Sequence, residues 1–464
     1  MFQVQGREAT NGQVQRYLDR LAGLEKIITP QLIEQALRDS GRRNERQCRL
    51  CHPVVLWLLL AVGVFTDLPI RSVFKFCRRL RELEKTPSRS ALAQAKARLG
   101  VEPLQELFRL VVGPLGAPDT PGVFYKGMRR MAIDSTVLDV PDTPANDEAF
   151  GRPDGGAERG PGAFPQVRKV SLVELGTHME VAFVAQPVHV SERAAVPELL
   201  QRIPAGSLLY EDRGFFSYGD WKKADAQGIK LLVRVGSHLV LKPIQHLSDG
   251  SFLAKIYPSP WARSVDREGI VVRVIRYTLD DPQRTGHAEP HTLMANLLDA
   301  AEYPALELIA EYHERWEHEL VYDEQKTHQD PRRPTKPTHL RSQTPLGVRQ
   351  ELYALSLAHF GVHAMMLDAA VPAHIDVDRL SFTGCLQILR CRLPECDPRS
   401  EGSVRQWYRA VIAEMAQEQI PARRNRVNPR VIKRKMSKWA KARPEHRRQA
   451  PLRKSYVESI VMLN

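Results

Sequence analysis

The sequence predicts a multidomain α/β protein, and three observations lead to this fold class. The chain has 464 residues, which is more than a single hydrophobic core usually organises. Apolar residues recur at helical spacing through the first quarter, whereas strand-like runs that alternate with helical stretches begin at Met131. A strongly basic segment ends the chain. We therefore expect a helical N-terminal domain, a central α/β domain and a basic C-terminal region.

Residues 12 to about 118 are predicted to be helical, because apolar side chains recur every three or four residues. Thr86-Pro87-Ser88 is a helix-start signal for a helix that runs to Leu99 and stops at Gly100. This helix is either a reader of a DNA groove or an ordinary surface helix of an all-α domain. It carries three cations, Arg89, Lys96 and Arg98.

Six cysteines are spread thinly over the chain without a preceding signal peptide, so we expect reduced thiols in a cytosolic protein. Cys48, Cys51 and His52 form a single C-x-x-C-H motif. No second ligand pair follows at zinc-finger spacing, so neither zinc nor haem is expected there. The apolar run from Pro53 to Phe65 is too short to cross a bilayer and is predicted to be a buried helix.

The central region alternates between strands and helices in a defined order. Runs rich in β-branched and apolar residues predict three successive strands, a helix, a strand, a second helix and a final strand. Three meandering strands followed by alternating helices and strands form the arrangement of a ribonuclease H-like core. In chain order the segments are Met131–Val140, Lys169–Leu175, Met179–Val188, Ser191–Ile203, Ser207–Glu211, Tyr218–Gln227 and Lys230–Val235.

Two segments interrupt this core. Between Asp142 and Gln166 the chain has many Gly and Pro residues and no periodic apolar pattern, which predicts a mobile loop. Neither a dinucleotide-binding glycine spacing nor a G-K-[ST] ending is present, so this loop is not expected to hold a phosphate. From His238 to about Asp281, alternating apolar residues predict a small additional β unit.

The net charge indicates an anionic partner. Lys and Arg number 67 against 54 Asp and Glu, which gives a formal charge of +13 and a pI near 9.5. Nucleic acid is favoured over an anionic membrane surface. Between Pro421 and Asn464 there are fourteen Lys and Arg but only two acidic residues. This tail is either a solvated disordered end or a DNA-contacting segment, in which Trp439 and Tyr456 interleave with the cations.

Two aspartates are candidate ligands for a divalent metal. Asp134 lies within the first predicted strand, where an acidic residue is unfavourable unless a cation meets it. Asp212 ends the strand Ser207–Glu211, at the edge where ligand sites gather in parallel sheets. Because Arg213-Gly214 follows, a turn-capping aspartate is the alternative interpretation of Asp212.

A third acidic residue is flanked by cations and aromatic rings. Tyr312, Arg315, Glu319 and Lys326 lie at relative positions 0, 3, 7 and 14. They fall within about 60° of one another if the segment is a continuous α-helix. A solvated helix face with ion pairs would show the same charges. Trp316 favours a DNA site, because its ring can stack on a base displaced from the duplex.

The spacing Tyr312-x2-Arg315-x3-Glu319-x6-Lys326 resembles the Tyr-Arg-Glu-Lys signature of the insertion-sequence-four family of bacterial DDE transposases. Ile133-Asp134-Ser135 and Asp212-Arg213-Gly214 resemble the two Asp motifs of that family. The similarity covers about residues 25 to 335. The resemblance implies that Asp134, Asp212 and Glu319 bind two catalytic Mg²⁺ ions, for which Mn²⁺ can substitute.

The same resemblance implies partners. Tyr312, Arg315, Trp316 and Lys326 are expected to contact double-stranded DNA near the transposon end, and Trp316 suits the capture of a flipped base. The substrates are the terminal inverted repeats of the element and a target DNA, and a homodimer pairs the two ends. We expect a cytoplasmic, nucleoid-associated bacterial protein with no membrane partner.

Two other functions remain open from the sequence. One is a transposase-derived DNA-binding protein that no longer cuts, and the other is a nuclease without strand transfer. The predicted regions are a helical N-terminal DNA-binding domain (1–122), the first part of the ribonuclease H-like core (123–236), a β-rich insertion (237–300), the rest of the core with the Glu helix (301–372), and a basic, helical C-terminal region for DNA contact or dimerisation (373–464).

Overall fold

The computed structural model describes residues 19–43, 50–77, 86–154, 162–281, 288–330, 338–397, 400–421 and 454–463. They divide into two compact units, each made of three chain segments. Unit 1 consists of Met1–Val123, Ser135–Ser191 and His318–Ile420, and unit 2 of Phe124–Asp134, Glu192–Glu317 and Pro421–Asn464. Cys48, Trp439 and most of the basic tail lie outside the described residues.

The structure contains fourteen α-helices in its described residues. In chain order they are α1 Pro30–Asp39, α2 His52–Val64, α3 Ile70–Phe76, α4 Arg89–Leu99, α5 Glu102–Val111, α6 Pro144–Phe150, α7 Val196–Leu200, α8 Tyr218–Ala226, α9 Pro260–Ser264, α10 Ala305–Glu314, α11 Glu317–Asp323, α12 Pro345–Ala370, α13 Phe382–Arg392 and α14 Glu401–Met415.

Strands β2 to β6 match the predicted segments of the central region within a few residues. They are β1 Phe124–Tyr125, β2 Met128–Asp139, β3 Gln166–Glu174, β4 Met179–Pro187, β5 Leu208–Glu211, β6 Lys230–Arg234, β7 Gln245–His246, β8 Phe252–Ile256, β9 Ile270–Leu279, β10 His291–Ala295 and β11 Ile460–Met462.

In unit 1, helices α1 and α4 begin at side-chain caps. The hydroxyl groups of Thr29 and Ser88 accept hydrogen bonds from the backbone N–H groups of Leu32 and Ala91 at 3.3 and 3.1 Å, which satisfies otherwise unpaired donors of the first turn. The helix predicted after Ser88 is therefore confirmed as α4.

Helix α2 is the buried helix that the apolar run predicts, with every residue from Val54 to Val64 buried. It packs against α12, and a Cβ atom at Gly63 would clash with the carbonyl oxygen of Ala354. The side chain of Gln329 donates to the carbonyl oxygens of Gly63 at 3.2 Å and Leu355 at 2.8 Å. Close helix packing in unit 1 thus requires glycine at this position.

Strand β2 is shared between the units, with residues up to Asp134 in unit 2 and residues from Ser135 in unit 1. Within unit 1, β3 and β4 form an antiparallel pair. Two side chains of β3 reach the end of β2: Gln166 donates to Asp139 at 2.7 Å, and Arg168 donates to Ser135 at 3.5 Å.

Unit 2 contains a mixed sheet with a parallel and an antiparallel part. Strands β2, β5 and β6 pair in parallel. Strand β10 then pairs antiparallel with β6, and β9, β8 and β7 extend the sheet in antiparallel order. The β unit predicted at 238–281 therefore continues the sheet through β10. Buried Arg273 on β9 donates to the carbonyl oxygen of Tyr303 and pairs with Asp249, which fixes this extension to the loop before α10.

The predicted loop between Asp142 and Gln166 is wrong for its first part, which forms α6. The hydroxyl of Thr143 accepts from the backbone N–H of Asn146 at 3.2 Å, and Pro144 occupies the first turn. Thr143 and Pro144 are residue types that are common in loops, but a threonine N-cap followed by proline is also a typical helix start. Residues 155–161 lie outside the described part. None of the helices in the described residues is long and apolar enough to span a membrane.

Candidate active site

Two carboxylates emerge side by side from the parallel part of the unit 2 sheet. Ile133 of β2 lies opposite Glu211 of β5 in the parallel register, and each is followed directly by an aspartate, Asp134 and Asp212. Ligand sites gather at the carboxyl ends of parallel strands. The structure therefore brings together two of the three predicted metal ligands.

One guanidinium group reaches both aspartates. Arg315 Nη1 lies 2.8 Å from Asp134 Oδ2, and Arg315 Nη2 lies 4.0 Å from Asp212 Oδ2. The side chains of the two aspartates are 20% and 36% exposed, respectively. Two adjacent carboxylates repel each other unless a cation lies between them. The planar guanidinium supplies that charge and fixes the orientation of Asp134.

The segment that carries the Tyr-Arg-Glu-Lys pattern is not one continuous helix, so the predicted common helix face is wrong. Helix α10 ends at Glu314, α11 begins at Glu317, and a π-helical segment follows over Glu324–Gln329. The N–H groups of Arg315 and Trp316 each donate at 3.2 Å to the carbonyl three residues earlier. Tight i−3 bonds and a wider π turn change the rotation per residue, which a uniform 100° cannot describe.

Tyr312 lies inward at the end of α10. Its side chain is buried, and its hydroxyl donates to the carbonyl oxygen of Glu211 at 3.2 Å. Burial raises the pKa of the Tyr312 phenol, so it remains a proton donor. Burial, with a smaller effect from Asp220, also raises the pKa of the Glu211 carboxyl to about 8. The Tyr312 hydroxyl thus holds α10 against the end of β5, one residue before Asp212.

An ion pair between buried Arg130 of β2 and Glu311 also holds α10, and no sequence pattern had singled out these two residues. Arg130 Nε of β2 lies 3.1 Å from Glu311 Oε2, and the Tyr210 hydroxyl donates to the same oxygen at 3.0 Å. Arg130 is buried and Glu311 is partly exposed. The signal was present, because a cation inside an apolar strand needs a buried partner. The arrangement fixes the helix that carries Arg315.

The remaining predicted site residues differ in their surroundings. Trp316 and Glu319 are half-buried, and neighbouring His318 is fully buried. In unit 1 the ammonium group of Lys326 donates to Thr136 Oγ1 and to the carbonyl oxygen of Val137, both at 3.0 Å. Lys326 is therefore held against β2 two to three residues after Asp134 in the sequence.

Two protein-family models match the chain. The model described as insertion element 4 transposase N-terminal matches residues 18–109, and the model described as transposase DDE domain matches residues 125–360. The second match covers about half of the chain and includes every predicted site residue from Asp134 to Lys326.

The chain is also similar to individual proteins that are described as transposases. The transposase InsG for insertion sequence element IS4 of Escherichia coli (strain K12) is 28% identical over 431 residues, which cover 91% of this chain and 94% of that protein. The putative transposase InsZ of the same strain is 29% identical over 188 residues, 40% of this chain and 61% of InsZ. Among solved structures, a piggyBac transposase synaptic complex with hairpin DNA has a TM-score of 0.42 at 12% identity and covers 88% of this chain and 87% of that one.

Proposed function

This chain belongs to the insertion-sequence-four family of DDE transposases, and we propose that Asp134, Asp212 and Glu319 are the carboxylates with which it binds catalytic metal ions. The observation that carries this proposal is the adjacency of Asp134 and Asp212 at neighbouring parallel strands, with one guanidinium between them. The substrate is double-stranded DNA at the terminal inverted repeats of its own element, together with a target DNA.

The donor set fits a hard divalent cation. Asp134 and Asp212 offer carboxylate oxygens, which Mg²⁺ prefers, and both side chains are partly exposed, so an ion with bound water can reach them. Glu319 supplies the third carboxylate. When bound, two Mg²⁺ or Mn²⁺ ions activate the attacking oxygen and neutralise the leaving one. The Arg315 guanidinium contacts both aspartates and balances their charge, which holds them in position to bind such ions.

The strand order supports a ribonuclease H-like core. In unit 2, β2, β5 and β6 are parallel neighbours, and in unit 1, β3 pairs with β4 and contacts the end of β2. Along the chain, three successive strands are followed by alternating helices and strands, which is the succession that the sequence predicts for this core. The strands β7 to β10 then form the β-rich insertion before the segment that carries Glu319.

The reaction consists of two phosphoryl transfers. A water attacks the phosphorus atom at the element boundary, and the bond to the departing 3′-oxygen breaks. The released 3′-hydroxyl then loses its proton and attacks a phosphorus atom of the target strand, which releases a new 3′-end there. No covalent protein intermediate is required, so the buried phenol of Tyr312 does not serve as a nucleophile.

Four residues are proposed to hold DNA beside the carboxylates. Arg315 and Lys326 carry the charge that neutralises phosphates, and half-buried Trp316 offers a ring face for a flipped base. Tyr312 contributes by positioning its neighbours. Its hydroxyl donates to the carbonyl oxygen of Glu211, and the Arg315 guanidinium lies 5.8 Å from the centre of its ring. The helical region 1–122 and the basic region 373–464 extend the DNA contact, and a homodimer pairs two ends on the bacterial nucleoid.

A labelled element end, a target plasmid and Mg²⁺ test the proposal with the full chain. The wild-type chain should give joined product. Glu319→Gln should abolish both cleavage and joining while DNA binding persists, because the amide keeps the shape of the side chain but not its charge. Glu314→Gln, in the same segment, is the matched control and should retain both steps.

The outcomes separate the competing functions. Cleavage without joined product would make the protein a nuclease, and binding without either step would make it a DNA-binding protein derived from a transposase. Retained cleavage by the Glu319→Gln variant would overturn the assignment of Glu319. Removal of Mg²⁺ with a chelator should stop both steps, and Mn²⁺ should restore them.

A further inference from the structure

A second group of possible ligands lies in unit 1, in a region that the proposed reaction does not use. Glu324 is the first residue of the π-helical segment, and His359 and His363 lie on α12. His359 Nε2 and His363 Nε2 lie 3.0 and 2.9 Å from Glu324 Oε2. Their ligand atoms all lie within 4.8 Å of one another, and all three residues are buried. We call these residues the Glu324 cluster.

A fourth side chain approaches from the turn between β3 and β4. His178 Nδ1 lies 3.4 Å from Glu324 Oε1, and His178 Nε2 lies 3.4 Å from Asp378 Oδ1. His178 and Asp378 are 3% and 5% exposed. Three parts of the fold, namely the turn between β3 and β4, the π-helical segment and α12, therefore meet around the Glu324 carboxylate. Asp378 contacts His178 from its other side.

The groups that pair with Glu324 are all imidazoles in the part of the chain that the structure describes. A buried carboxylate is costly unless a cation or hydrogen-bond donors balance its charge. Neutral imidazole is also a common metal ligand, so a bound metal ion can provide that balance at this carboxylate.

The geometry selects a class of metal. His359 and His363 are four residues apart on one helix and therefore share a face. Two imidazoles and a carboxylate form a common ligand set for zinc, whose tetrahedral ligands lie about 3.3 Å apart when the metal–ligand bonds are near 2 Å. Mg²⁺ prefers oxygen ligands and bound water, which a fully buried site with two imidazoles does not offer.

We infer that Glu324, His359 and His363 form a structural binding site for a divalent transition metal of the zinc class. None of its ligands is one of the three carboxylates proposed to bind the catalytic ions. Its Nε2 and carboxylate atoms ligate the metal, and the metal cross-links the π-helical segment to α12. Because Lys326 lies two residues beyond Glu324, the site also fixes the backbone that carries this cation.

Metal content of the full chain is the first test. Protein expressed with added Zn²⁺ and passed through a chelating resin should retain about one zinc ion per chain, since a buried site exchanges its metal slowly. Replacement by Co²⁺ should give the intense visible absorption of tetrahedral cobalt. Carboxylates with water ligands give only weak bands, so the spectrum distinguishes this site from Asp134 and Asp212.

Variants assign the ligands. Glu324→Gln and His363→Asn should lose the retained metal and the cobalt spectrum, whereas His374→Asn should keep both. His374 is an exposed histidine of unit 1 with a φ of 53°, a conformation that asparagine also tolerates. His363→Cys should retain cobalt and add a thiolate-to-cobalt charge-transfer band in the near ultraviolet, so loss of folding in one variant does not leave the proposal untested.

Two results would overturn the inference. One is a folded wild-type chain that retains no metal, in which case the cluster is a hydrogen-bond network alone. The other is retained metal with an unchanged cobalt spectrum in Glu324→Gln. A different variant tests the proposed function independently of the zinc site. Asp134→Asn should lose DNA cleavage in saturating Mg²⁺ but should keep the slowly exchanging zinc.

Discussion

The carboxylates of the two units are surrounded by nitrogen groups in different ways. In unit 2, Asp134 and Asp212 are 20% and 36% exposed and share the guanidinium of Arg315. In unit 1, the side chain of Glu324 is 7% exposed and meets the imidazoles of three histidines. The first pair can exchange ions with solvent and reach a large substrate. The second carboxylate is closed to both.

This difference in exposure predicts which carboxylates affect the reaction and which affect the stability of the fold. An exposed carboxylate costs little free energy to keep ionised, so its charge is available for a reaction in which ions and DNA come and go. A buried carboxylate must be balanced permanently, because an unpaired charge in the protein interior is strongly unfavourable. Substitutions at the exposed pair should therefore change activity, and substitutions at buried charges should change the free energy of unfolding.

The largest effect is expected from Asp212→Asn, which should lower the rate of DNA cleavage on the order of 10³-fold or more, because a metal ligand contributes several kcal/mol to the transition state. The asparagine can still accept the hydrogen bond from the backbone N–H of Arg213, now 2.7 Å from Asp212 Oδ1. The melting temperature should therefore stay the same. Rapid-quench cleavage and calorimetry measure the two quantities, and a destabilised chain with normal cleavage would contradict the comparison.

A buried ion pair of unit 1 should show the opposite behaviour. Lys169 Nζ lies 2.7 Å from Glu180 Oε1, and both side chains are 2% exposed. Lys169→Met should lower the free energy of unfolding by about 3–5 kcal/mol, because Glu180 is left buried without its partner. Denaturant unfolding measures the loss.

An exposed pair provides the control for that measurement. Lys255 and Asp266 of unit 2 are 2.8 Å apart, with side chains 33% and 61% exposed. Lys255→Met should cost at most about 1 kcal/mol, because solvent screens such pairs. Equal losses for Lys255→Met and Lys169→Met would mean that burial does not set the strength of these interactions.

A smaller effect on activity is expected from Arg315→Lys, about 10- to 100-fold in cleavage rate, comparable to loss of a group that orients metal ligands. A lysine ammonium keeps the charge but cannot reach Asp134 and Asp212 with two separate nitrogens. Rates over a range of Mg²⁺ concentrations test this reason, since poorly oriented aspartates should require more Mg²⁺. An unchanged Mg²⁺ dependence would assign Arg315 to DNA alone.

A further difference between buried and exposed groups concerns thiol reactivity in unit 1, without any change of sequence or of activity. Cys391 is an exposed free thiol, whereas Cys385 is buried and free. Burial raises the pKa of the Cys385 thiol to about 12. Alkylation of Cys385 should therefore be at least about 100-fold slower than that of Cys391 at neutral pH. Peptide mapping by mass spectrometry distinguishes the two, and equal rates would show that the α13 region opens.

Local patterns determined most of the elements in this chain. Apolar alternation predicted β2 through β6, the cap at Ser88 predicted α4, and the run after Pro53 predicted the buried helix α2. The spacing of Tyr312, Arg315, Glu319 and Lys326 predicted the family. These signals are local because backbone propensity, capping and side-chain periodicity act between residues that are near in sequence.

The tertiary structure decided those features that depend on contacts between residues far apart in the sequence. The tight turn at Arg315 and Trp316 interrupts a segment whose sequence predicts one helix, and Arg315 there meets Asp134, which is 181 positions away. His359 and His363 have a spacing that a sequence shows, but Glu324 becomes their partner only where the π-helical segment packs on α12. Burial determines how costly the charge of such a side chain is. Burial in turn follows from packing between segments that no local pattern connects.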